Sequence, residues 1–225
     1  DVPSYSNVFE ELLALMQLDG FELCFEVPQE NQFIVPELLP VDKPEDYSWQ
    51  ADGEELHLRY EYDFMPKGIV PRLVVRLHTY LASESQLWKR GAVFLREEAT
   101  AEVVEHFREK HIHIRVKGEN RKELLTIIAH HLDEINATFH FSGRMTVNQL
   151  IPCPCPNREC QKKRKPYFFH KENLDRAKKK GIQQVQCQHS SEGVSVLRML
   201  EETFYQDDTY KSYTGKRDIF PREHI

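Results

Sequence analysis

The sequence predicts an α+β fold with a mainly antiparallel sheet covered by helices on one face, followed by a small cysteine-rich module. Three observations support this prediction. Apolar and polar residues alternate in several segments of 56–116, which is the period of half-buried strands. Apolar residues recur at helical spacing over 68–82 and again over 121–136. Four of the five cysteines fall within residues 153–187.

Length, composition and charge place the chain among folded proteins and exclude several other classes. Its 225 residues are 40% apolar, which is enough for a buried core. The net charge of -6 creates no general attraction to nucleic acid or membrane. No apolar run approaches the roughly 18 residues that a membrane-spanning helix needs. The chain opens on Asp-Val-Pro without an initiator Met or a signal-like segment, so we interpret it as a cytoplasmic interaction segment cut from a larger protein.

Residues 1–40 predict a helix followed by two short strands. The helix ends near Gly20, and the apolar residues that recur on it at helical spacing are Phe9, Leu12, Leu13 and Met16. Alternation then predicts a strand over Phe21–Val27, and Phe33–Val35 predicts a second one. A helix followed by a two-stranded ribbon is typical of the end of a winged helix-turn-helix. An ordinary αββ fragment explains the same pattern.

Residues 41–150 contain the strongest periodic signals. The segment 41–55 is rich in Asp, Glu and Pro, which indicates a linker. The order predicted beyond it is β-α-β-β-β-α, which places helices on one face of a mainly antiparallel sheet. These elements are Leu56–Tyr62, Gly68–Ala82, Gly91–Leu95, Ala101–Phe107, Ile112–Val116 and Arg121–Asn136.

Residues 151–225 differ in composition from the rest of the chain. Proline and cysteine cluster first, and a basic run then extends from Lys162 to Lys180. A strand is predicted over Gln183–Gln186 and a helix over Val194–Phe204. The last twenty residues are polar and charged, which predicts a loose tail.

The cysteines of this last segment predict a metal site. Their odd number and their spacing do not fit a secreted disulfide scaffold, so a reducing compartment is expected. Zinc prefers four thiolate or imidazole ligands in a tetrahedron, and a site closed by four protein ligands is structural rather than catalytic. The candidate ligands are four cysteines, with two histidines as replacements: Cys153, Cys155, Cys160, Cys187, His170 and His189. Reduced, half-buried thiols are the alternative explanation.

The basic run beside the cysteines is a candidate nucleic-acid-binding segment. Lys162–Lys165 and Lys178–Lys180 flank three aromatic residues, Tyr167, Phe168 and Phe169. Lys and Arg contact phosphates, and aromatic rings stack on bases. The competing interpretation is a solvated helix face with the rings packed inward. Because the whole chain is mildly acidic, the solvated face is the preferred interpretation.

No known catalytic motif is present in the sequence. It lacks the phosphate-binding loops G-x4-G-K-[ST] and G-x-G-x-x-G, the G-x-S-x-G elbow and the H-E-x-x-H pair. His111 and His113 lie two residues apart on a predicted strand without a third ligand at an obvious offset. His130 and His131 are adjacent on a predicted helix and point in different directions. We therefore predict no catalytic residues and no enzymatic activity, and we expect Cys24 to be a core thiol.

Several motifs together resemble the C-terminal half of the COR domain of Roco proteins, in which COR follows a Ras-like GTPase domain called Roc. The distinctive set is Phe-x-Pro-x-Gly at 64–68, Arg-Leu-x-Val-Arg-Leu-His at 72–78 and Trp-x-x-Gly at 88–91. It continues in Ile-x-Ile-x-Val-x-Gly at 112–118 and Glu-Leu-Leu at 123–125. As a set, these motifs are more specific than any one of them.

Flanking segments extend the resemblance to roughly residues 5–200. Phe21–Phe25 and Val35–Pro40 resemble the end of the N-terminal half of COR. Ile151–Cys155 with a later Gln-Cys resembles a cysteine-containing extension of some prokaryotic Roco proteins. The spacing that leads to Cys160 is wider than in that extension.

The resemblance implies three domains. Residues 1–40 would be the winged-helix-like end of the N-terminal half of COR, and residues 41–150 would be its C-terminal half. Residues 151–225 would be a cysteine-rich zinc module with a charged tail.

The resemblance also implies a function without catalysis. In Roco proteins COR mediates dimerisation and packs against Roc. Its dimerisation is linked to the GTPase cycle. We therefore expect a scaffold segment that forms a homodimer and contacts the Roc domain of its own parent chain. A structural Zn²⁺ is the expected cofactor, and no nucleotide is expected to bind this segment. The alternative is a zinc-stabilised module that binds nucleic acid or another ligand through residues 162–180.

Overall fold

The structure is a computed structural model, and it describes residues 5–18, 22–27, 32–50, 55–138, 145–153, 168–186, 193–201 and 216–217. The chain divides into two compact units. The first unit comprises residues 1–55 and 64–142. The second unit comprises residues 56–63 and 143–225.

The described residues form five α-helices and twelve strands. In chain order they are α1 (Tyr5–Gln17), β1 (Phe25–Val27), β2 (Gln32–Ile34), β3 (Leu56–Tyr62), α2 (Ile69–Arg76), β4 (Leu87–Trp88), β5 (Gly91–Arg96), β6 (Ala99–His106), β7 (His111–Lys117), α3 (Arg121–Thr138), β8 (Met145–Pro152), β9 (Phe168–His170), α4 (Lys171–Lys179), β10 (Gln184–Gln186), β11 (Gly193–Ser195), α5 (Val196–Glu201) and β12 (Lys216–Arg217). The strand pairs of both units are antiparallel, which confirms the predicted α+β class.

The sheet of the first unit is formed by β4, β5, β6 and β7 in that order. One face is the core face, where cross-strand partners such as Val103 and Ile114 are fully buried. The other face carries polar pairs such as Glu102 opposite Arg115. The strands β6 and β7 form a hairpin, with its turn at residues 107–110.

The helices α2 and α3 supply the helical layer of the first unit. Both contact the sheet, and α2 also packs against α3. Their buried apolar residues follow the periodic stripes predicted from the sequence; these are Ile69, Val70, Leu73, Val74, Leu124, Leu125, Ile128, Leu132 and Ile135. The α3 helix confirms the prediction for this segment and continues to Thr138.

The α2 helix is shorter than predicted. It ends at Arg76, whereas the periodic pattern continues to Ala82, and a 3₁₀ turn over His78–Tyr80 follows it. The side chain of His78 explains this end: its Nδ1 atom lies 2.8 Å from the carbonyl oxygen of Val75. Its ring also stacks on Phe25 with the centroids 5.2 Å apart. Apolar spacing alone cannot distinguish an α-helix from such a tightened end.

The N-terminal segment forms the predicted helix and two-stranded ribbon. Strands β1 and β2 are antiparallel, with Phe25 opposite Ile34. The first strand begins at Phe25, later than the alternation predicts, and Phe21 lies outside the described residues. Cys24 is 1% exposed, as expected of a core thiol, and burial raises its pKa.

The second unit is organised around β8. It pairs with β3 along most of its length, while β9 pairs with its C-terminal end and β12 with its N-terminal end. The sequence pattern does not predict β8, and for α4 it indicates a solvated helix face within the basic run without giving its bounds. In β8 both faces are largely buried, including Asn148 and Gln149, so no alternation marks the strand. In α4 only Leu174 and Ala177 are buried, so no apolar stripe marks the helix.

A small apolar cluster joins the elements of the second unit. Its buried members come from β8, β9, α4 and α5: Ile151, Phe169, Leu174, Ala177, Val196 and Met199. The predicted strand over Gln183–Gln186 is confirmed as β10. The predicted helix over Val194–Phe204 begins later, at Val196, because Val194 pairs with Val185 in the β10–β11 ribbon.

Gly91 at the start of β5 is a position where no side chain fits. A Cβ atom there would lie 2.7 Å from the carbonyl oxygen of Val103 and would also clash with the ring of Trp88. We expect Gly91→Ala to lower the free energy of unfolding of the first unit by about 2 kcal/mol, as overpacked sites do. Urea unfolding followed by tryptophan fluorescence measures this, because both tryptophans, Trp49 and Trp88, belong to the first unit. Gly181→Ala, in the second unit, is the control and should leave this transition unchanged.

Candidate functional site

Of the four predicted zinc ligands, the structure describes Cys153. It follows the last residue of β8, is half-buried, and packs against the apolar cluster of the second unit. Cys155, Cys160 and Cys187 lie outside the described residues, as does the replacement ligand His189. The tetrahedral arrangement of the four thiolates therefore stays a prediction.

The other replacement ligand, His170, lies on the opposite face of the same sheet. It pairs with Leu150, whereas Cys153 shares the face of Ile151 because residues two apart point the same way. The Nε2 atom of His170 is 3.9 Å from Oε1 of Glu61. The opposite Oε2 atom of that carboxylate accepts a hydrogen bond from the amide of Asn148 at 2.9 Å. This placement separates His170 from Cys153.

Four described histidines of the first unit lie in two pairs. His106, which sequence reasoning did not single out, lies opposite His111, and the two rings stack with centroids 4.6 Å apart. His130 and His131 both approach the carboxylate of Glu134, at 3.3 and 3.5 Å. Across the described ranges, no three His, Cys, Asp or Glu side chains lie close enough together to hold a metal ion.

Two of the aromatic residues in the basic segment are used for packing. Phe169 is 8% exposed within the apolar cluster, and the ring of Phe168 lies against His57 with centroids 4.7 Å apart. Tyr167 and Lys162–Lys165 lie outside the described residues. The base-stacking part of the nucleic-acid hypothesis therefore finds no support at Phe168 and Phe169.

A buried carboxylate organises the outer face of the first unit's sheet. The side chain of Glu102 is 3% exposed, and its two oxygens accept bonds from Lys43 at 2.8 Å and from Arg115 at 2.6 Å. Burial by itself raises the pKa of this carboxyl, but the hydrogen bonds and charges of Arg115 and Lys43 outweigh burial and hold the pKa below its usual value. Glu102 is therefore an ionised structural anchor.

Residues 43–50, here called the strap, pack against that outer face. Composition predicts a linker here, but the ring of Trp49 lies against Arg115 and Lys117, with the cationic groups 4.7 and 4.8 Å from the centroid. The Nζ atom of Lys43 is 4.3 Å from the centre of the Tyr47 ring. Burial, and next the nearby carboxylate, raise the pKa of Tyr47 far above its ordinary range. Lys43 and Trp49 lie within this acidic stretch, and they are the two residues whose types could have indicated packing rather than a linker.

A second buried carboxylate lies where the N-terminal segment contacts α2, and its partner Arg76 also contacts α3. Glu22 is 4% exposed, and its Oε1 atom accepts a hydrogen bond from Nε of Arg76 in α2. The Nη1 atom of Arg76 is 2.9 Å from Oε2 of Glu134 in α3. Burial lowers the pKa of the neighbouring His131, although Glu134 opposes this shift. Arg76 therefore connects three segments.

A third acidic residue, Glu105, is buried with little charge compensation. It is 9% exposed at the end of β6, and burial raises its pKa to about 7. The charges of Arg90 and Lys89 oppose the shift, and the Glu37 carboxylate adds to it. The raised pKa means that the Glu105 carboxyl changes its charge near neutral pH. Because this carboxyl is buried and changes its charge near neutral pH, the free energy of unfolding of the first unit should depend on pH.

Across the parts of the chain that the structure covers, no helix combines the length and apolar character needed to cross a membrane.

The buried charges of the first unit hold segments together through Glu22, Arg76, Lys43 and Glu102. Such contacts stabilise the fold of the first unit.

One comparison with known protein families identifies the fold. The family model for the COR-B domain, described as C-terminal of Roc, matches residues 53–202, which is 150 of the 225 residues. COR is a non-catalytic region of Roco proteins and is associated with their Roc GTPase domain. The match confirms the resemblance at the 64–68, 72–78 and 88–91 motifs. The chain therefore belongs to the COR-B family and is part of the COR region of a Roco protein.

Proposed function

We propose that this chain is a dimerisation and scaffold segment of a Roco-type GTPase and couples subunit association to the nucleotide cycle of Roc. The family match over residues 53–202 carries the proposal. The match includes residues of both units. Dimer contacts and nucleotide coupling are the proposed part.

The construction of the first unit supports a scaffold role. Glu102 and Glu22, two carboxylates distant in sequence, are both buried against cations, and these contacts fix the strap and the N-terminal segment. A charge buried in this way is costly unless it is paired, so the segments it joins stay together. A rigid module transmits a rearrangement at one surface to another more faithfully than a chain of loosely joined segments.

Coupling is tested by joining the chain to its Roc domain and measuring molar mass by light scattering. The fused protein is compared in GDP and in a non-hydrolysable GTP analogue over the same concentration series. We expect the fraction of dimer to differ between the two nucleotides. Equal dimer fractions in both nucleotides would refute coupling, while the chain alone reports whether association itself occurs.

We also propose that the second unit holds a structural zinc ion through Cys153, Cys155, Cys160 and Cys187. Cys153 and Val185 pack against the same apolar cluster, and Cys187 follows Val185 by two residues in the sequence. Thiolates are suitable zinc ligands, and the neighbouring Lys and Arg residues offset the net charge of -2 that four thiolates leave on the dication. Among the described residues the cluster has six buried members, so this unit would gain stability from a metal.

Elemental analysis of the purified chain tests the zinc proposal. We expect close to one zinc per chain, and we expect Cys187→Ala to lose it and to become sensitive to protease within the second unit. The tryptophan-reported transition of the first unit should be unchanged, since Trp49 and Trp88 lie there. Cys24→Ala is the matched control and should retain zinc, because Cys24 is buried in the first unit. Zinc near zero, with all thiols titrating rapidly, would contradict the site.

A further inference from the structure

The C-terminal end of α4 presents three adjacent lysines in a fixed geometry. Gly181 has a φ of 71°, and its N–H donates to the carbonyl oxygen of Lys178 at 3.0 Å. The N–H of Ile182 donates to the carbonyl oxygen of Ala177 at 3.0 Å. This pair of bonds is the Schellman motif, in which glycine takes the left-handed position after a helix. Lys178, Lys179 and Lys180 are all exposed.

Two exposed aliphatic residues adjoin the β10–β11 ribbon that follows this helix end. The carbonyl oxygen of Gln183 accepts a hydrogen bond from the N–H of Val196 at 3.0 Å, which extends the β10–β11 ladder by one pair. Ile182 precedes Gln183, Leu197 follows Val196 as the second residue of α5, and the two side chains are 45% and 49% exposed. In a Schellman motif the residue at the position of Ile182 commonly packs back on its helix, so its exposure leaves apolar surface available.

Positive charge is concentrated in the stretch of sequence that contains these lysines. Residues 158–180 contain ten Lys and Arg and three Asp and Glu, a net charge of +7 in a chain whose total is -6. On α4 itself the acidic residues are already paired, Asp175 with Lys171 and Glu172 with Arg176. The cations at the helix end are therefore not offset by acids on the same helix. Lysines near a helix C-terminus also favour the helix dipole, but this does not account for the aliphatic pair.

We propose that this surface, formed by Lys178–Lys180, Ile182 and Leu197 and called here the basic end, docks on the anionic surface of a phospholipid bilayer. Lysines attract anionic headgroups, and aliphatic side chains standing among them enter the boundary of the acyl region. A nucleic acid would use aromatic rings for base stacking, but Phe168 and Phe169 are packed in the second unit. The docking is peripheral and needs no membrane-spanning helix.

Co-sedimentation of the full chain with large unilamellar vesicles tests the basic end. We expect binding to vesicles of phosphatidylcholine mixed with phosphatidylserine, weaker binding at high salt, and little binding to phosphatidylcholine alone. Replacing all three lysines by glutamine should weaken partitioning by about a hundredfold, since each charge near the surface contributes about 1 kcal/mol. The combined Ile182→Ser and Leu197→Ser variant should weaken binding by about tenfold or more.

The control removes three other exposed lysines by the same substitution, Lys67→Gln, Lys110→Gln and Lys122→Gln, and should bind vesicles almost as the parent chain does. Circular dichroism confirms that every variant is folded. Equal binding to both vesicle types, or equal loss in the control, would overturn the proposal. So would complete release by soluble glycerophosphoserine, which would indicate a free-anion site, or preferential capture by a single-stranded RNA with the same lysine dependence.

Discussion

Arg76→Ala is expected to lower the free energy of unfolding of the first unit by about 3 kcal/mol, the cost of leaving a buried carboxylate without its cation. Glu22 is 4% exposed and depends on Arg76, whose own side chain is 16% exposed. Urea unfolding followed by tryptophan fluorescence measures the change. The loss arises from the uncompensated charge of Glu22, so it should be much smaller in a chain that already carries Glu22→Ala.

Glu134→Ala is the matched control for this prediction. It removes the other carboxylate that contacts Arg76, but this partner is 47% exposed. Exposed ion pairs contribute about 0–1 kcal/mol, so the control should cost far less than Arg76→Ala. Equal losses in the free energy of unfolding from the two variants would contradict the claim that the burial of Glu22 makes its ion pair with Arg76 the stronger one.

Glu105→Gln is expected to stabilise the first unit at pH 8 by up to about 3 kcal/mol, with little effect near pH 4.5. The pKa of Glu105 is raised from 4.5 to about 7 in the folded chain, so the folded state holds the proton more tightly than the unfolded state. Stability from this group is complete below pH 4.5 and is lost as the pH rises to about 7. Glutamine carries no charge at any pH, so the variant escapes this loss.

Urea unfolding at a series of pH values between 4.5 and 8, followed by tryptophan fluorescence, measures this effect. The difference between Glu105→Gln and the parent chain should grow through this interval and then level off. Glu109→Gln, in the exposed turn of the same hairpin, is the control and should follow the parent chain. Parallel profiles for all three proteins would contradict the role of Glu105.

The parts of the fold that the sequence predicts are those with one buried and one polar face. The strand β7, His111–Lys117, alternates strictly between buried and half-buried positions. The helix α3 has an apolar stripe and ends within a few residues of its predicted limits. The pattern does not predict β8, which is buried on both faces, and it gives no bounds for α4, which has only two buried residues. A periodic pattern needs contrast between faces, and neither element has it.

The contacts that fix the strap and the N-terminal segment could not be predicted from local pattern. Lys43 and Glu102 are 59 residues apart, and Arg76 and Glu22 are 54 apart. A charged residue looks the same in a sequence whether it is solvated or buried against a partner. For the metal site, sequence spacing proposes four cysteines, and the structure adds that Cys153 and Val185 share one apolar cluster.

Sedimentation equilibrium of the chain over a wide concentration range tests the proposed dimerisation most directly. The monomer mass is 26.6 kDa. A dimerising COR segment predicts an average mass that rises with concentration toward twice that value, and one dissociation constant should describe all loading concentrations. A mass that stays at the monomer value at the highest concentration, both for the chain alone and with Roc attached, would contradict the proposal.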